Sequence, residues 1–279
     1  MKKNSRTQKI YPHSGRNLSE QDVYDLRQIQ HRRRITFFRI LILAAFIALW
    51  ELAADLGRID DFIFSSPSRL VLCLKSLIEQ GIIWQHISIT LLETIVSFLL
   101  VIGVTILAAI LLWANKSVSE TAEPYMVVLN SLPKSALAPL LIVWLGSNYR
   151  TIIATGMSVA IFGSILSLYQ GFMAVNPDQA RLIETLGGNR RNILAKVVLP
   201  SNIPTLFSIM KVDIGLCLVG VVIGEFISSR RGLGYMIIYS SQVFKLDWVI
   251  LGILILCVIA MGLYAILAVL EKHCLGKRN

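Results

Sequence analysis

Six long apolar runs, separated by shorter polar stretches, set the pattern of the chain. Runs of about 20 apolar residues are long enough to cross a bilayer as helices. They lie at about 36–55, 89–113, 124–146, 151–173, 203–228 and 248–270. The pattern predicts an all-α membrane protein of about six transmembrane helices, with one membrane domain at 36–271. A polar loop at 174–202 interrupts it, and polar segments flank it at 1–35 and 272–279.

The polar stretches carry their own signals. In the first 35 residues Ser19 precedes Asp22, a helix-capping arrangement, and Val23, Leu26 and Ile29 fall on one helical face. Two readings stand for this segment: a helix lying in the membrane interface, or a solvated basic tail. Residues 68–80 have the spacing of an amphipathic helix with Leu70, Val71, Leu74 and Leu77 on one side. The third apolar run contains Pro133 and Pro139. Two prolines predict a kinked or broken helix, tolerated only where neighbours satisfy the freed carbonyls. That places the run inside the protein, along a pathway. Gly232, Leu233, Gly234 and Tyr235 predict a loop or re-entrant turn after the fifth span.

The loop at 174–202 is more ordered than a connector needs to be. Asn176 suits a helix N-cap, Pro177 the first helical position, and Gln179 the third position of a capping box. Gly187 and Gly188 end that helix, Asn189 caps a second short one, and Pro200 is expected to end it. Asp178, Glu184, Asn189, Arg190 and Asn192 are set to face water or a partner. Ala180, Ile183, Leu186, Ile193, Leu194 and Val197 are set to seat the pair on the bundle. A rigid platform for a partner and a plain interfacial helix pair both fit this pattern.

Composition agrees with a membrane chain. Of 279 residues, 55% are apolar and only 16% charged, well below the quarter or so typical of soluble domains. The net charge is +10. Basic residues concentrate in the first 39 positions, in 181–196 and at the C-terminus (Lys272, Lys277, Arg278). The pattern is that of cytoplasmic loops, with Arg32, Arg33, Arg34 and Arg39 holding the N-terminus inside. Arg58, Arg69, Lys75, Arg150, Arg230, Arg231 and Lys245 fall on the other side, so the bias is not clean. No nucleic-acid-reading motif is present. The first apolar run follows too long a polar segment for a cleavable signal and reads as a retained helix. Cys73, Cys217, Cys257 and Cys274 match no metal or redox spacing, and His13, His31, His86 and His273 form no ligand pair at helical spacing.

Ionisable residues at membrane depth are costly, and are read as functional by default. Lys134 sits between the two prolines, and Lys211 and Asp213 lie in the inner half of the fifth run. Lys211 can extend to the cytoplasmic surface. Asp213 is expected to face a dimer interior or a cation from another span, with Lys134 as candidate; a purely structural ion pair fits equally. Glu93 and Glu225 lie near span ends.

The stretch from Asn176 to Pro200 resembles the EAA loop of binding-protein-dependent ABC permeases, through Gly187, Val197, Leu199 and Pro200. The usual acidic-Ala-Ala triplet falls here on Arg181, Leu182 and Ile183. The usual arginine three places on is Glu184, so the two charges are exchanged in order. They are spaced to attract on one helix face. Leu132-Pro133-Lys134-Ser135-Ala136-Leu137-Ala138-Pro139-Leu140 and Trp144-Leu145-Gly146 are similar to the third span of the nitrate/sulfonate/taurine branch. So are Trp50-Glu51, Ser66-Pro67-Ser68, Glu225 and Gly232-Leu233-Gly234-Tyr235, and the resemblance covers roughly 45–270.

The resemblance implies a type I ABC importer transmembrane domain in a bacterial cytoplasmic membrane, with both termini cytoplasmic. It further implies a homodimeric pore, ATPase subunits beneath and a solute-binding protein outside. Arg181, Glu184, Gly187, Gly188, Asn189 and Arg190 become candidates for ATPase docking. Pro133, Lys134, Pro139, Asp213 and Glu225 become candidates for the pathway or gate. The chain has no Gly-x-x-x-x-Gly-Lys-[Ser/Thr] phosphate loop. ATP and Mg are therefore expected on the partner, no cofactor or metal on this chain, and no catalysis by it. Lipid is an expected partner and nucleic acid is not. The solute expected is a nitrate-, sulfonate- or taurine-like oxyanion or a related small organic compound. An ion-driven transporter working through Asp213, Glu225 or Lys134, and a membrane enzyme, are the rival readings. The first predicts matched broken helices, and the second a catalytic cluster that is not seen.

Overall fold

A computed structural model of the chain describes residues 20–58 and 60–275. Every regular element among them is helical. The Ser19 cap, the side chains of Val23, Leu26 and Ile29, and the tail residues Lys277 and Arg278 lie outside what is described. Among the described residues five helices are long and apolar enough to cross a membrane, or six when one bent pair counts as a single span. The chain divides into two units between Asp61 and Phe62.

The first unit is dominated by α1, which runs unbroken from Glu20 to Asp55. No boundary appears near residue 35, because residues 20–35 contain neither Gly nor Pro to stop the helix. Its apolar part begins at Arg34, whose guanidinium lies 5.6 Å from the centre of the Phe38 ring.

The short α2 (Asp61–Phe64) has its first residue in the first unit and the rest in the second, where α3 (Pro67–Glu79) follows. The Ser66 hydroxyl caps α3, and Leu70 and Leu77 are its buried positions. Val71, expected on the same face, points outward instead. Leu74, between Leu70 and Leu77 on that face, is half-buried.

The centre of this unit is three long helices packed on one another: α4 (Ile82–Ala114), α7 (Tyr149–Met173) and α11 (Ile203–Ser228). Their close approach has a sequence cause. Gly220 and Gly224 lie four apart on α11, a small-xxx-small spacing that lets backbones meet. A Cβ on Gly220 would lie 2.8 Å from the Gly156 Cα of α7, and one on Gly224 would lie 3.1 Å from the Ile152 Cα. Two apolar clusters fill this trio, one around Leu168, Phe172 and Val198, the other around Val101, Ala160 and Cys217.

Between α4 and α7 the expected third span is two helices, α5 (Lys116–Ser131) and α6 (Lys134–Leu145), bent by 99°. The break falls at Leu132–Pro133. Proline disfavours helical backbone in the residue before it, and Leu132 is extended (φ −64°, ψ 141°). The helix also begins at Lys116 rather than near residue 124, because Asn115 caps it through the amides of Ser117 and Val118. Pro139 remains within α6 and Pro124 within α5.

After α7 come α8 (Pro177–Thr185), α9 (Arg190–Ile193), a π-helical turn (Leu194–Val198) and α10 (Leu199–Ser201), which leads into α11. Pro200 therefore does not end the second short helix as expected. The wide turn, in which the Leu199 amide bonds the Leu194 carbonyl, makes room for the pyrrolidine ring. The chain closes with α12 (Leu233–Gln242) and α13 (Leu246–Leu275).

Candidate functional site

The two ends of α4 mark two sites. Its 33 residues span about 50 Å. At its C-terminal end the Arg190 guanidinium reaches the Ala114 carbonyl (3.5 Å), which brings the α8–α9 platform there. At its N-terminal end His86 and Thr90 meet the turn between α11 and α12.

The platform is built as its residues dictate. The Asn176 side chain caps α8 by accepting from the Asp178 amide (2.8 Å), and Pro177 takes the first position. The helix ends when Gly187 turns left-handed (φ +79°). The Gly188 amide then bonds back to the Ile183 carbonyl (2.8 Å) and the Gly187 amide to that of Glu184 (2.9 Å). Asn189 caps α9 by accepting from the Asn192 amide (3.0 Å). Ala180, Ile183, Ile193 and Leu194 pack on the apolar cluster as expected. Leu186 does not: it is 76% exposed, and Leu182, one turn earlier, 60%. The helix thus shows an apolar pair outward, flanked by the exposed Arg181 and Glu184. Arg181 pairs with Asp178 (3.7 Å) rather than with Glu184, and both partners are well exposed.

At the far end Glu225 is completely buried. Its Oε1 accepts from the Thr90 hydroxyl (2.6 Å) and its Oε2 from the Gly234 amide (2.5 Å). The Thr90 oxygen in turn accepts from the Leu233 amide (2.8 Å). His86 Nδ1 lies 3.0 Å from the Gly232 nitrogen and 2.8 Å from its oxygen, so its tautomer decides which bond forms. Glycine is required on this turn. Gly232 is left-handed (φ +101°), and a Cβ on Gly234 would sit 2.8 Å from Glu225. The cluster fixes the α11–α12 turn against α4. Any part Glu225 plays in a gate therefore acts through the turn it holds.

The other expected residues are placed apart. Lys134 lies at the α5–α6 bend, where its Nζ donates to the Leu129 and Asn130 carbonyls (2.9 and 2.7 Å) and faces the Phe162 ring. It caps the broken helix and does not meet Asp213. Asp213 is 2% exposed and accepts from the Ser164 hydroxyl (2.6 Å), within the α7–α11 contact. Of the two expected surroundings, a dimer interior or a cation from another span, no cation is paired with it here, and α7 offers a hydroxyl. Lys211 pairs with Glu271 of α13 (2.9 Å) instead of reaching the surface alone. Thr90 and His86 gave no sign in sequence, since their partners lie more than 130 positions away. Leu182 was marked only by its place in the loop.

Residues 101–274 match the family described as binding-protein-dependent transport system inner membrane component. The chain belongs to this family. A probable ABC transporter permease protein of Haemophilus influenzae is 29% identical over 81% of the permease and 91% of that relative. A putative aliphatic sulfonates transport permease protein of Bacillus subtilis is 27% identical over 91% and 92%. The taurine transport system permease protein of Escherichia coli is 25% identical over 83% and 86%. Among solved structures, a chain of a bacterial ABC transporter that imports alginate superposes with TM-score 0.61 at 14% identity, over 89% of the permease and 99% of that chain. A chain of the MetNI methionine transporter gives TM-score 0.58 at 14% identity, over 72% and 97%. The fold is that of an ABC transporter transmembrane domain. The protein is a multi-pass membrane permease of an import system.

Proposed function

We propose that the permease forms a homodimeric pathway driven by a separate ATPase that docks on the α8–α9 platform. The observation that carries this reading is the outward pair Leu182 and Leu186 on a helix fixed at both ends by Asn176 and the Gly187–Gly188 turn. Such an apolar pair, rimmed by Arg181, Glu184, Asn189 and Arg190, has the makings of a contact core with a polar rim. Closing of the ATPase dimer moves the platform, and Ile183, Ile193 and Val198 pass the movement to the ends of α4, α7 and α11. ATP and Mg are held by that partner, and this chain does no hydrolysis.

In this reading the platform and both termini face the cytoplasm, and the Glu225 end faces a solute-binding protein outside. The pathway runs along the α5–α6 bend, where Pro133 breaks the span and Lys134 supplies positive charge, with Pro139 inside α6 beside it. The solute is a small oxyanion, as the sulfonate and taurine names of the relatives suggest, or a related small organic compound.

The test is an affinity pulldown in detergent of the full chain with the ATPase encoded beside it. The native sequence is expected to retain the ATPase and Leu182→Glu/Leu186→Glu to lose it. Equal retention by both refutes the platform as the dock. No retention by the native sequence refutes the ATP-driven reading, and ion-driven uptake through Asp213 is then tested.

A further inference from the structure

Three arginines stand on two neighbouring turns at the Glu225 end of the helices. Arg150 opens α7 after the α6–α7 turn, Arg230 and Arg231 lie in the α11–α12 turn, and all three are exposed. The two turns are joined. The Ser147 hydroxyl donates to the Ser228 carbonyl (2.9 Å), and the Ser228 hydroxyl to the Ser147 oxygen (3.1 Å). Each arginine is within three residues of that joint, a reach of about 10 Å at most along extended backbone. Each turn is also fixed from within. Asn148 caps α7 by accepting from the Arg150 amide (2.9 Å). The Ser229 hydroxyl donates to the Arg231 carbonyl and accepts from the Arg231 amide (3.1 Å), and His86 meets Gly232 just beyond.

The chain does not neutralise this charge. Among the described residues no carboxylate lies within ion-pair distance of Arg150, Arg230 or Arg231. The acids of the second unit at this end are engaged elsewhere. Asp247 pairs with Arg69 (3.1 Å), Glu79 pairs with Lys75 (4.0 Å), and Glu93 and Glu225 are buried. Three like charges on joined turns repel one another, and no internal partner offsets that repulsion. Beside them the exposed Tyr149 hydroxyl accepts from Arg150 Nε (3.4 Å). Arginine and tyrosine are the side chains that most often carry the energy of protein contacts.

We infer that this arginine surface receives an acidic face of the solute-binding protein. The inference rests on the proposed orientation, in which this end lies opposite the ATPase. The family's transport systems depend on a binding protein. A guanidinium fork takes a carboxylate through two parallel bonds, so surface Asp and Glu of the partner suit it. The three charges are spread over two turns on an open surface, which fits a broad protein face. A small anion is held instead by a site that encloses it. The contact also reaches the pathway. α6 leads from Lys134 to the turn that holds Ser147, so a partner gripping both turns holds the outer end of the broken span.

The test places the full chain in phosphatidylcholine nanodiscs and times its association with the purified solute-binding protein encoded beside it, by surface plasmon resonance at low and high sodium chloride. Association with the native chain is expected to be about tenfold faster at low salt. Arg150→Glu/Arg230→Glu/Arg231→Glu is expected to lose both the speed and its salt dependence. If that variant does not fold, Arg150→Gln/Arg230→Gln/Arg231→Gln and the salt dependence of the native chain decide. A native rate that is independent of salt and shared by the arginine variants overturns the inference and leaves the proposed function standing. No binding by the native chain overturns the inference together with the binding-protein part of the proposed function, while capture of the ATPase by the platform is unaffected. An anionic lipid as occupant gives a third result, which also overturns the inference: phosphatidylglycerol raises the unfolding midpoint of the native chain and not of the variant, with association unchanged between them.

Discussion

Thr90→Val probes the buried cluster that ties α4 to the α11–α12 turn. Valine keeps almost the volume of threonine but removes one hydroxyl. That hydroxyl gives its proton to Glu225 Oε1 (2.6 Å) and accepts from the Leu233 amide (2.8 Å), and Thr90 is 0% exposed. Without it the Leu233 amide is a buried donor with nothing to bond, which costs about 1–3 kcal/mol, and Glu225 loses one of its donors at about 1 kcal/mol more. The sum is about 2–4 kcal/mol. Thr90→Ser is the control. It keeps both bonds and loses a methyl group, a change of about 1 kcal/mol by analogy with Ile→Val in protein cores. The assay is thermal unfolding of the purified permease in one detergent, with amide hydrogen exchange over residues 229–242. Valine is expected to lower the midpoint more than serine and to speed exchange in that segment. A serine variant less stable than valine, or a valine variant equal to the native chain, refutes the hydrogen-bonding account and makes Thr90 a packing residue only.

Gly234→Ala is expected to destabilise by about 1–3 kcal/mol through overpacking, because its Cβ would press on Glu225 at 2.8 Å; thermal unfolding measures it. Gly187→Ala forces a side chain into left-handed backbone at φ +79°, at about 1–2 kcal/mol, and is expected to speed exchange at the Gly187 and Gly188 amides. Asn176→Ala removes the α8 cap and costs about 1 kcal/mol, seen as faster exchange over residues 178–186. Glu271→Gln removes the negative charge from the 2.9 Å partner of Lys211 and lowers the unfolding midpoint. Adding Lys211→Met to that variant is expected to restore part of the loss.

Features written locally were legible in the sequence. The α8 cap at Asn176 and Pro177, the stop at Gly187 and the break at Pro133 each depend on a few neighbouring residues, so their chemistry shows in the order of the chain. The long apolar runs predicted helices near the observed ones for the same reason. What was missed depends on partners distant in sequence. Thr90 and Glu225 are 135 positions apart, and nothing near Thr90 announces that it bonds a turn in another helix. Asp213 looked like one half of an ion pair, but its neighbour is Ser164. Leu186 was assigned to the bundle by periodicity, which separates faces but does not say which face a short helix turns inward. The π-helical turn before Pro200 is a local answer to a steric clash, and the proline signalled the clash but not the answer. Gly220 and Gly224 show a small-xxx-small spacing, but the spacing does not name Gly156 and Ile152 as the residues they meet.

The proposed function rests on the driving ATPase docking at the α8–α9 platform. A photo-crosslinking amino acid placed at Leu186 tests this most directly in membranes that contain the ATPase encoded beside the permease. The same residue placed at Leu72, an exposed apolar position at the other end of the helices, is the comparison. The account predicts that irradiation joins the ATPase to position 186 and not to position 72. Crosslinking from 72 alone, or from neither, contradicts it.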